Sequence, residues 1–332
     1  MSRFGPFPDP AGLLDHDEAA DAFATMLDGG ASDDNIIEFL NALSDRGETM
    51  VEIAAAAQAM RDRLIPIDAP AGAIDVCGTG GDGHHTLNVS TAVSIVVAAC
   101  EVPVAKHGNR AASSKSGAAD TLEALGLDME RADRQAEEQL ADLGICFLFA
   151  GTRHPAMKRI MPIRRAIGRR TIFNLMGPLA NPARVTRQLV GIARPAYVPV
   201  YAEALHRLGT EHSRVISGDE GLDELSLAGG NEVAVVLPEG VRMQRSVAAD
   251  AGLPTRSLGE IRGGDAEYNA KALRRLLEGE PGAYRDAVLY NAAEALVVAG
   301  AVETLRDGVE EAAEAIDKGL ANALLNCWIA YK

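Results

Sequence analysis

The sequence predicts an α/β protein: a small all-helical N-terminal domain over residues 1–70, then a large domain over 71–332 with a mainly parallel central sheet. Two observations carry this. The first seventy residues hold only helical periodicity, with capping residues at the starts and glycine or proline at the stops. From Ala73 onward, short apolar runs alternate with helix-length segments, the pattern of strand–helix–strand units.

Asp15–Leu27 has apolar residues at helical spacing and stops at Gly29-Gly30. Ser32 is placed to cap a helix through Leu43 that ends near Gly47, and Thr49 to cap a third running to about Leu64. Pro66 and Pro70 close the unit. Three short amphipathic helices make a small core, so they should pack on another domain or on a second copy of themselves.

Strands are expected at Ala73–Cys77, Val102–Ala105, Ile145–Phe149, Gln188–Ala193, Arg214–Ser217 and Glu232–Leu237. Helices are expected at Ser90–Cys100, Ser116–Leu125, Asp133–Leu143, Val198–Leu208, Asn269–Leu277 and Ala283–Ala299, with a last helical stretch over Val302–Leu325.

Composition narrows the function. With 332 residues, 47% of them apolar, the chain can bury a large core. A net charge of −15 makes its surface a poor partner for nucleic acid or anionic membrane. No apolar run approaches the 18 residues of a membrane span, and the N-terminus lacks a signal core. Cys77, Cys100, Cys146 and Cys327 are scattered and form no CxxC, which suits reduced thiols in a soluble, cytoplasmic protein. Against this acidity, Gly151–Arg170 carries seven Lys or Arg and no acid. That window calls for an anion, either a ligand or an acidic surface of the same protein.

The chemistry centres on Gly78-Thr-Gly-Gly-Asp-Gly83, directly after the first strand. Four glycines in six residues allow a sharp turn whose N–H groups face an anion. Asp82 would repel a bare phosphate, so the loop suggests a phosphorylated sugar with a divalent cation. The G-x-G-x-x-G match also raises a dinucleotide fold, but His84–Leu87 separate the motif from the next helix, and Lys106 stands where a ribose-binding acid belongs. Asn88-Val-Ser-Thr91 combines a helix cap with an anion site.

The second strand runs into Lys106-His-Gly-Asn-Arg-Ala-Ala-Ser-Ser-Lys-Ser-Gly117, rich in bases and hydroxyls and free of acids. Loops after successive parallel strands share the ligand-binding edge. Asp223-Glu224, after the fifth strand, suits Mg²⁺ but also reads as a solvated acidic loop. No acid in sequence orients His84, His85 or His107, so His107 reads as structural or supporting and Cys77 as buried filler.

Together these motifs resemble anthranilate phosphoribosyltransferases: Gly78–Thr91, Lys106–Gly126, Ile163–Pro182 and Gly221–Glu224, within a likeness from about residue 10 to the end. The resemblance implies the fold shared with pyrimidine nucleoside phosphorylases, with the cleft between the two domains. It implies a homodimer through the helical domain, to which part of about 165–185, including Thr171–Leu179, returns as a hinge. It implies transfer of the phosphoribosyl group from 5-phosphoribosyl 1-diphosphate to anthranilate with Mg²⁺. Carried over, Gly78, Gly81, Asp82, Thr86, Asn88, Val89, Ser90 and Thr91 would hold the donor. So would Lys106, His107, Gly108, Asn109, Arg110, Ser113, Ser114 and Ala118. Gly78, Asn109 and Arg164 would contact anthranilate, and Ser90, Asp223 and Glu224 the metal.

Two departures stand out. Ala118 replaces a serine common in relatives, and Ser217-Gly218 a His-Gly. A phosphorylase would carry a Lys-His-Ser-Thr-Gly-Gly type loop where this chain has Val76-Cys-Gly-Thr-Gly-Gly81. A nucleic-acid-binding relative would be basic and lack the donor residues.

Overall fold

The computed structural model describes residues 4–111 and 115–332. The N-terminal unit consists of α1 (His16–Leu27), α2 (Asp33–Arg46) and α3 (Met50–Arg61). Asp15, Ser32 and Thr49 cap these helices through their side chains, and Glu18 and Glu52 complete reciprocal capping boxes in α1 and α3.

The larger unit runs β1 (Ile74–Gly78), α4 (Val89–Ala99), β2 (Val104–Gly108), α5 (Ala118–Ala124), α6 (Met129–Arg134), α7 (Ala136–Leu143) and β3 (Ile145–Phe149). It continues through α8 (Ala150–Arg153), α9 (Met157–Ile167), β4 (Arg187–Gly191), α10 (Val198–Arg207), β5 (His212–Gly218), β6 (Gly230–Leu237) and β7 (Gly240–Val247). Four helices close it: α11 (Ala266–Leu277), α12 (Ala283–Ala299), α13 (Leu305–Asp317) and α14 (Leu320–Ala330).

The sheet order is β3-β2-β1-β4-β5-β6-β7, parallel from β3 to β5 and antiparallel thereafter. Strand order reverses between β1 and β4, so the loops leaving that pair diverge and open a crevice at their C-terminal ends. Alternate residues feed two cores. Leu189 and Ile216 pack with α4, α12 and α14 on one face, while Val190 and Val215 face the other way. The second core is continuous with the helical unit, joining Phe23, Phe39 and Leu40 to Tyr201 and Ala202 of α10. Ile160, Ile163, Ile172 and Phe173 lie in it too. The three short helices thus borrow the sheet's apolar face to complete their burial.

Several expected elements differ. β2 begins two residues later and keeps Lys106 and His107 inside the strand, because both find buried partners there. The helix expected over Asp133–Leu143 is two helices broken at Gln135, and the terminal stretch breaks at Gly319, whose φ of 72° ends α13. Sequence reading does not expect β7, an edge strand whose exposed Arg242, Met243, Arg245 and Val247 break the apolar–polar alternation. The basic window contains α9, masked in sequence by Pro162 inside it and by only two buried residues, Ile160 and Ile163.

Candidate functional site

The loops after β1 and β2 do leave the same sheet edge, because these strands are parallel neighbours. Gly80 donates its N–H to Asp223 Oδ2 at 2.7 Å. A Cβ on Gly78 would lie 2.4 Å from that same oxygen, so only glycine admits the acid here. At the start of α4, the Ser90 N–H donates to Glu224 Oε1 at 3.1 Å. Two carboxylates therefore stand on the two N–H positions that an anionic ligand would use.

Holding acids there has an electrostatic cost. Burial, then repulsion from Asp82, pushes Asp223 up to about 7. Burial and Asp223 raise Glu224 well above the carboxylate range, opposed by Lys106. Such crowded carboxyls favour a cation. Among the described residues, no three His, Cys, Asp or Glu side chains form a ready cage. A cation bound here would complete its shell with ligand oxygens, the habit of Mg²⁺.

Beneath the loop, the Lys106 ammonium donates to the Val76 carbonyl at 2.8 Å and to Ser90 Oγ at 3.3 Å. Burial lowers its pKa while Asp75, Cys77 and Glu224 oppose the shift. Asp75 is fully buried and receives the His107 N–H at 3.1 Å, Asn181 Nδ2 at 2.8 Å and the Cys77 thiol at 3.2 Å. Burial and Asp75 push the Cys77 thiol well above its ordinary range, so it is no nucleophile. His107 bonds the Gly177 carbonyl at 2.9 Å and meets His154 at 3.2 Å, ring nitrogen to ring nitrogen. Burial lowers the two to about 3 and about 4, so both rings are neutral at pH 7. His107 is thus a brace.

Asn88 departs from the expected cap: its side chain makes no capping bond. Its Oδ1 instead accepts from Thr121 Oγ1 at 2.5 Å and Asn269 Nδ2 at 2.8 Å, and Glu224 serves the helix start. Val89 spends its N–H on the Leu87 carbonyl at 2.8 Å. Thr86 forms a backbone bridge with Arg262. The buried Thr91 hydroxyl has no partner among the described residues and is available to a ligand oxygen.

In the second loop, Asn109 Oδ1 accepts the Arg110 N–H at 2.8 Å. The exposed Arg110 guanidinium turns to Asp120 at 3.1 Å and Glu123 at 2.6 Å. Gly108 ends β2 and Ala118 opens α5. Ser113 and Ser114 lie outside the described residues.

The basic window divides. Arg159 and Arg169 reach Asp33 and Asp45 of α2 at 3.6 and 2.6 Å, and Arg153 pairs with Asp133 at 2.8 Å. Arg164, half-buried on α9, pairs with no carboxylate among the described residues and reaches only Met161 Sδ at 3.8 Å. The anion sought in sequence is therefore partly the protein's own surface.

Comparison with known proteins decides the family. Residues 71–322 match the glycosyl transferase family a/b domain, and residues 12–64 match its helical bundle domain. An anthranilate phosphoribosyltransferase of Sphingopyxis alaskensis is 92% identical over 332 residues, all of both chains. One of Rhodospirillum rubrum is 50% identical over 317 residues, covering 96% of this chain and 91% of the relative. The chain belongs to the anthranilate phosphoribosyltransferase family.

Among solved members of that family, the Thermus thermophilus enzyme superposes with a TM-score of 0.89 at 41% identity, over 96% of each chain. The Saccharomyces cerevisiae enzyme, in complex with PRPP and Mg, gives 0.87 at 28% identity over 96% of this chain and 93% of its own.

Sequence reasoning missed the roles of four residues that hold these loops in place. Asn291 of α12 receives the Leu225 N–H at 2.8 Å and donates to the Leu225 carbonyl at 3.1 Å, clamping the acidic pair from behind. Asn269 and Tyr284 hold the side chain and carbonyl of Asn88 at 2.8 and 3.0 Å. Arg170 reaches the glycine loop itself. No local signal marks them, because their partners lie far along the chain.

Proposed function

We infer that this chain transfers the phosphoribosyl group of 5-phosphoribosyl 1-diphosphate to the amine of anthranilate, releasing pyrophosphate, a step of tryptophan biosynthesis. The observation that carries the reading is the pair Asp223 and Glu224 seated on the N–H groups of Gly80 and Ser90. Departure of these acids frees both N–H groups for donor oxygens. Asp223, Glu224 and the Ser90 hydroxyl would hold Mg²⁺, which neutralises charge gathering on the leaving pyrophosphate.

The glycine loop, the start of α4 with Thr91, and Lys106 would hold the phosphoribosyl donor, with Gly78, Asn109 and Arg164 receiving anthranilate. The amine nitrogen bonds to C1 as the C1–O bond to pyrophosphate breaks, the electron pair leaves on that oxygen, and the amine proton passes to solvent. An aromatic amine is neutral at pH 7, so alignment and electrostatics suffice without a strong base. The neutral, braced His107 and the high-pKa Cys77 support a mechanism without a covalent nucleophile.

The helical unit is proposed as the dimer surface. Leu13 and Met50, 75% and 37% exposed, are apolar side chains on it. Four free cysteines suit a reducing cytoplasm. Among the described residues, no helix is long and apolar enough to cross a membrane.

Loss of anthranilate fluorescence on mixing protein, donor and Mg²⁺ tests the reading, with EDTA and donor-free controls. Loss requiring both donor and metal supports it, and constant fluorescence with folded protein defeats it. Light scattering on the eluting protein tests the dimer.

A further inference from the structure

Arg170 lies between α9 and the 3-10 turn Ile172–Asn174. Its Nη2 donates to the Gly80 carbonyl at 2.7 Å and to the Gly81 carbonyl at 2.5 Å. Its own carbonyl accepts the Ser44 hydroxyl of α2 at 3.0 Å. One residue therefore ties the helical unit, the segment leading back from it and the glycine loop.

We propose that Arg170 is a positioning residue for the phosphoribosyl donor, fixing which way the N–H groups of Gly81 and Asp82 point. The argument is one of peptide geometry. In a planar trans peptide, the carbonyl of one residue and the N–H of the next point in opposite directions. Holding the Gly80 carbonyl against Arg170 turns the Gly81 N–H away from the guanidinium. Holding the Gly81 carbonyl does the same for Asp82. Two successive N–H groups are thereby aimed together, the arrangement that cradles an anion.

Glycine alone would not hold this orientation, because its backbone visits many conformations. Gly80 and Gly81 have φ of 69° and 72°, and the guanidinium selects this conformer. Gly80 is gripped from both sides, its N–H by Asp223 and its carbonyl by Arg170. The fit also dictates the absence of a side chain at 81, where a Cβ would stand 2.2 Å from Arg170 Nη2. Both bonds leave the single nitrogen Nη2, whose N–H directions the planar guanidinium fixes; a lysine ammonium has donors enough for both carbonyls but on a flexible stem that does not fix their directions.

The proposal rests on the reading of Gly78–Gly83 as the donor loop. Its test compares Arg170→Gln and Arg170→Lys with wild type. Donor affinity is measured by calorimetry with Mg²⁺ and no anthranilate, both KM values by initial rates, and folding by circular dichroism. Arg170→Gln should raise the donor Kd about tenfold or more, since two charge-assisted bonds to the loop are lost. The anthranilate KM should change less than about threefold, with Arg170→Lys between. A merely structural arginine would lower the melting temperature and shift both KM values alike, and that result overturns the proposal. If Arg170→Gln does not fold, Arg170→Lys decides by the same criteria. Wild type that fails to bind donor refutes the loop reading itself, whereas wild-type affinity in the variants refutes only the role of Arg170.

Discussion

In the glycine loop the Gly80 N–H and the Gly80 and Gly81 carbonyls already have partners, whereas Arg164 on α9 reaches, among the described residues, only the Met161 sulfur. The donor side is stabilised by carboxylates standing on its N–H groups, at the cost of keeping Asp223 and Glu224 buried and crowded. On the proposed acceptor side, the Arg164 guanidinium has no carboxylate partner among the described residues, and burial lowers its pKa. On the proposed reading, one side is organised before anything binds, and the other keeps a charge that anthranilate would meet. Substitutions on the donor side should therefore separate stability from activity, and those on the acceptor side should alter one substrate only.

The largest effect is expected from Asp223→Asn combined with Glu224→Gln. Turnover should fall on the order of 10³-fold, because charge stabilisation at the leaving group is lost. The melting temperature should hold or rise, since two buried acids become neutral isosteres. A Mg²⁺ titration and a thermal melt check both halves. Unchanged metal response with wild-type turnover would remove the pair from the metal site and end the contrast. Arg164→Ala comes next. It should raise the anthranilate KM about 30-fold to 100-fold, the worth of a charge-assisted bidentate contact. The donor KM should stay within about threefold and the melting temperature within about a degree, as the side chain has almost nothing to lose. Equal rises in both KM values would show that Arg164 serves the shared architecture.

The same contrast explains what was legible in sequence. Gly78–Gly83, the caps Asp15, Ser32 and Thr49, and the strand Ile145–Phe149 are local features whose physics is written in adjacent residues. Arg170 and Asn291 act on partners 90 and 66 residues away, so nothing beside them announces the role. Asn88 has the residue type of a cap, yet Thr121 and Asn269 claim its side chain and Glu224 takes its place. The basic window was legible as charge but not as geometry. Its arginines divide among α2, Asp133 and the glycine loop according to a fold that the window does not encode.

A smaller effect should come from Asp75→Asn, beneath the donor loop. Three donors converge on this carboxylate, and an amide can accept at only one of its two terminal atoms. Stability should drop by about 1–3 kcal/mol. Both KM values should stay near wild type below the melt, because Asp75 supports the loop from behind. A denaturant titration checks the first statement, and a selective rise in donor KM would break the second.

The smallest effect concerns the seam between the two sides, where His107 of β2 meets His154 ahead of α9. Both rings are neutral when folded, with pKa values lowered to about 3 and about 4 by burial and, at His107, by its neighbours as well. In the unfolded chain each returns to about 6.5. Between about pH 6.5 and 4 the unfolded state therefore binds more protons, so stability is present above that window and is lost as pH falls through it. Each ring contributes a slope of at most about 1.4 kcal/mol per pH unit. Carboxylates add slopes of their own, so the informative quantity is the difference between wild type and His154→Gln, followed by denaturant unfolding from pH 7 to 5. The variant should start less stable at pH 7 and lose stability more slowly on acidification, its curve converging on that of wild type. Parallel curves would mean that His154 already carries a proton in the folded protein. The seam would then be a charged junction between donor and acceptor sides rather than a neutral brace, and acid would loosen neither side through it.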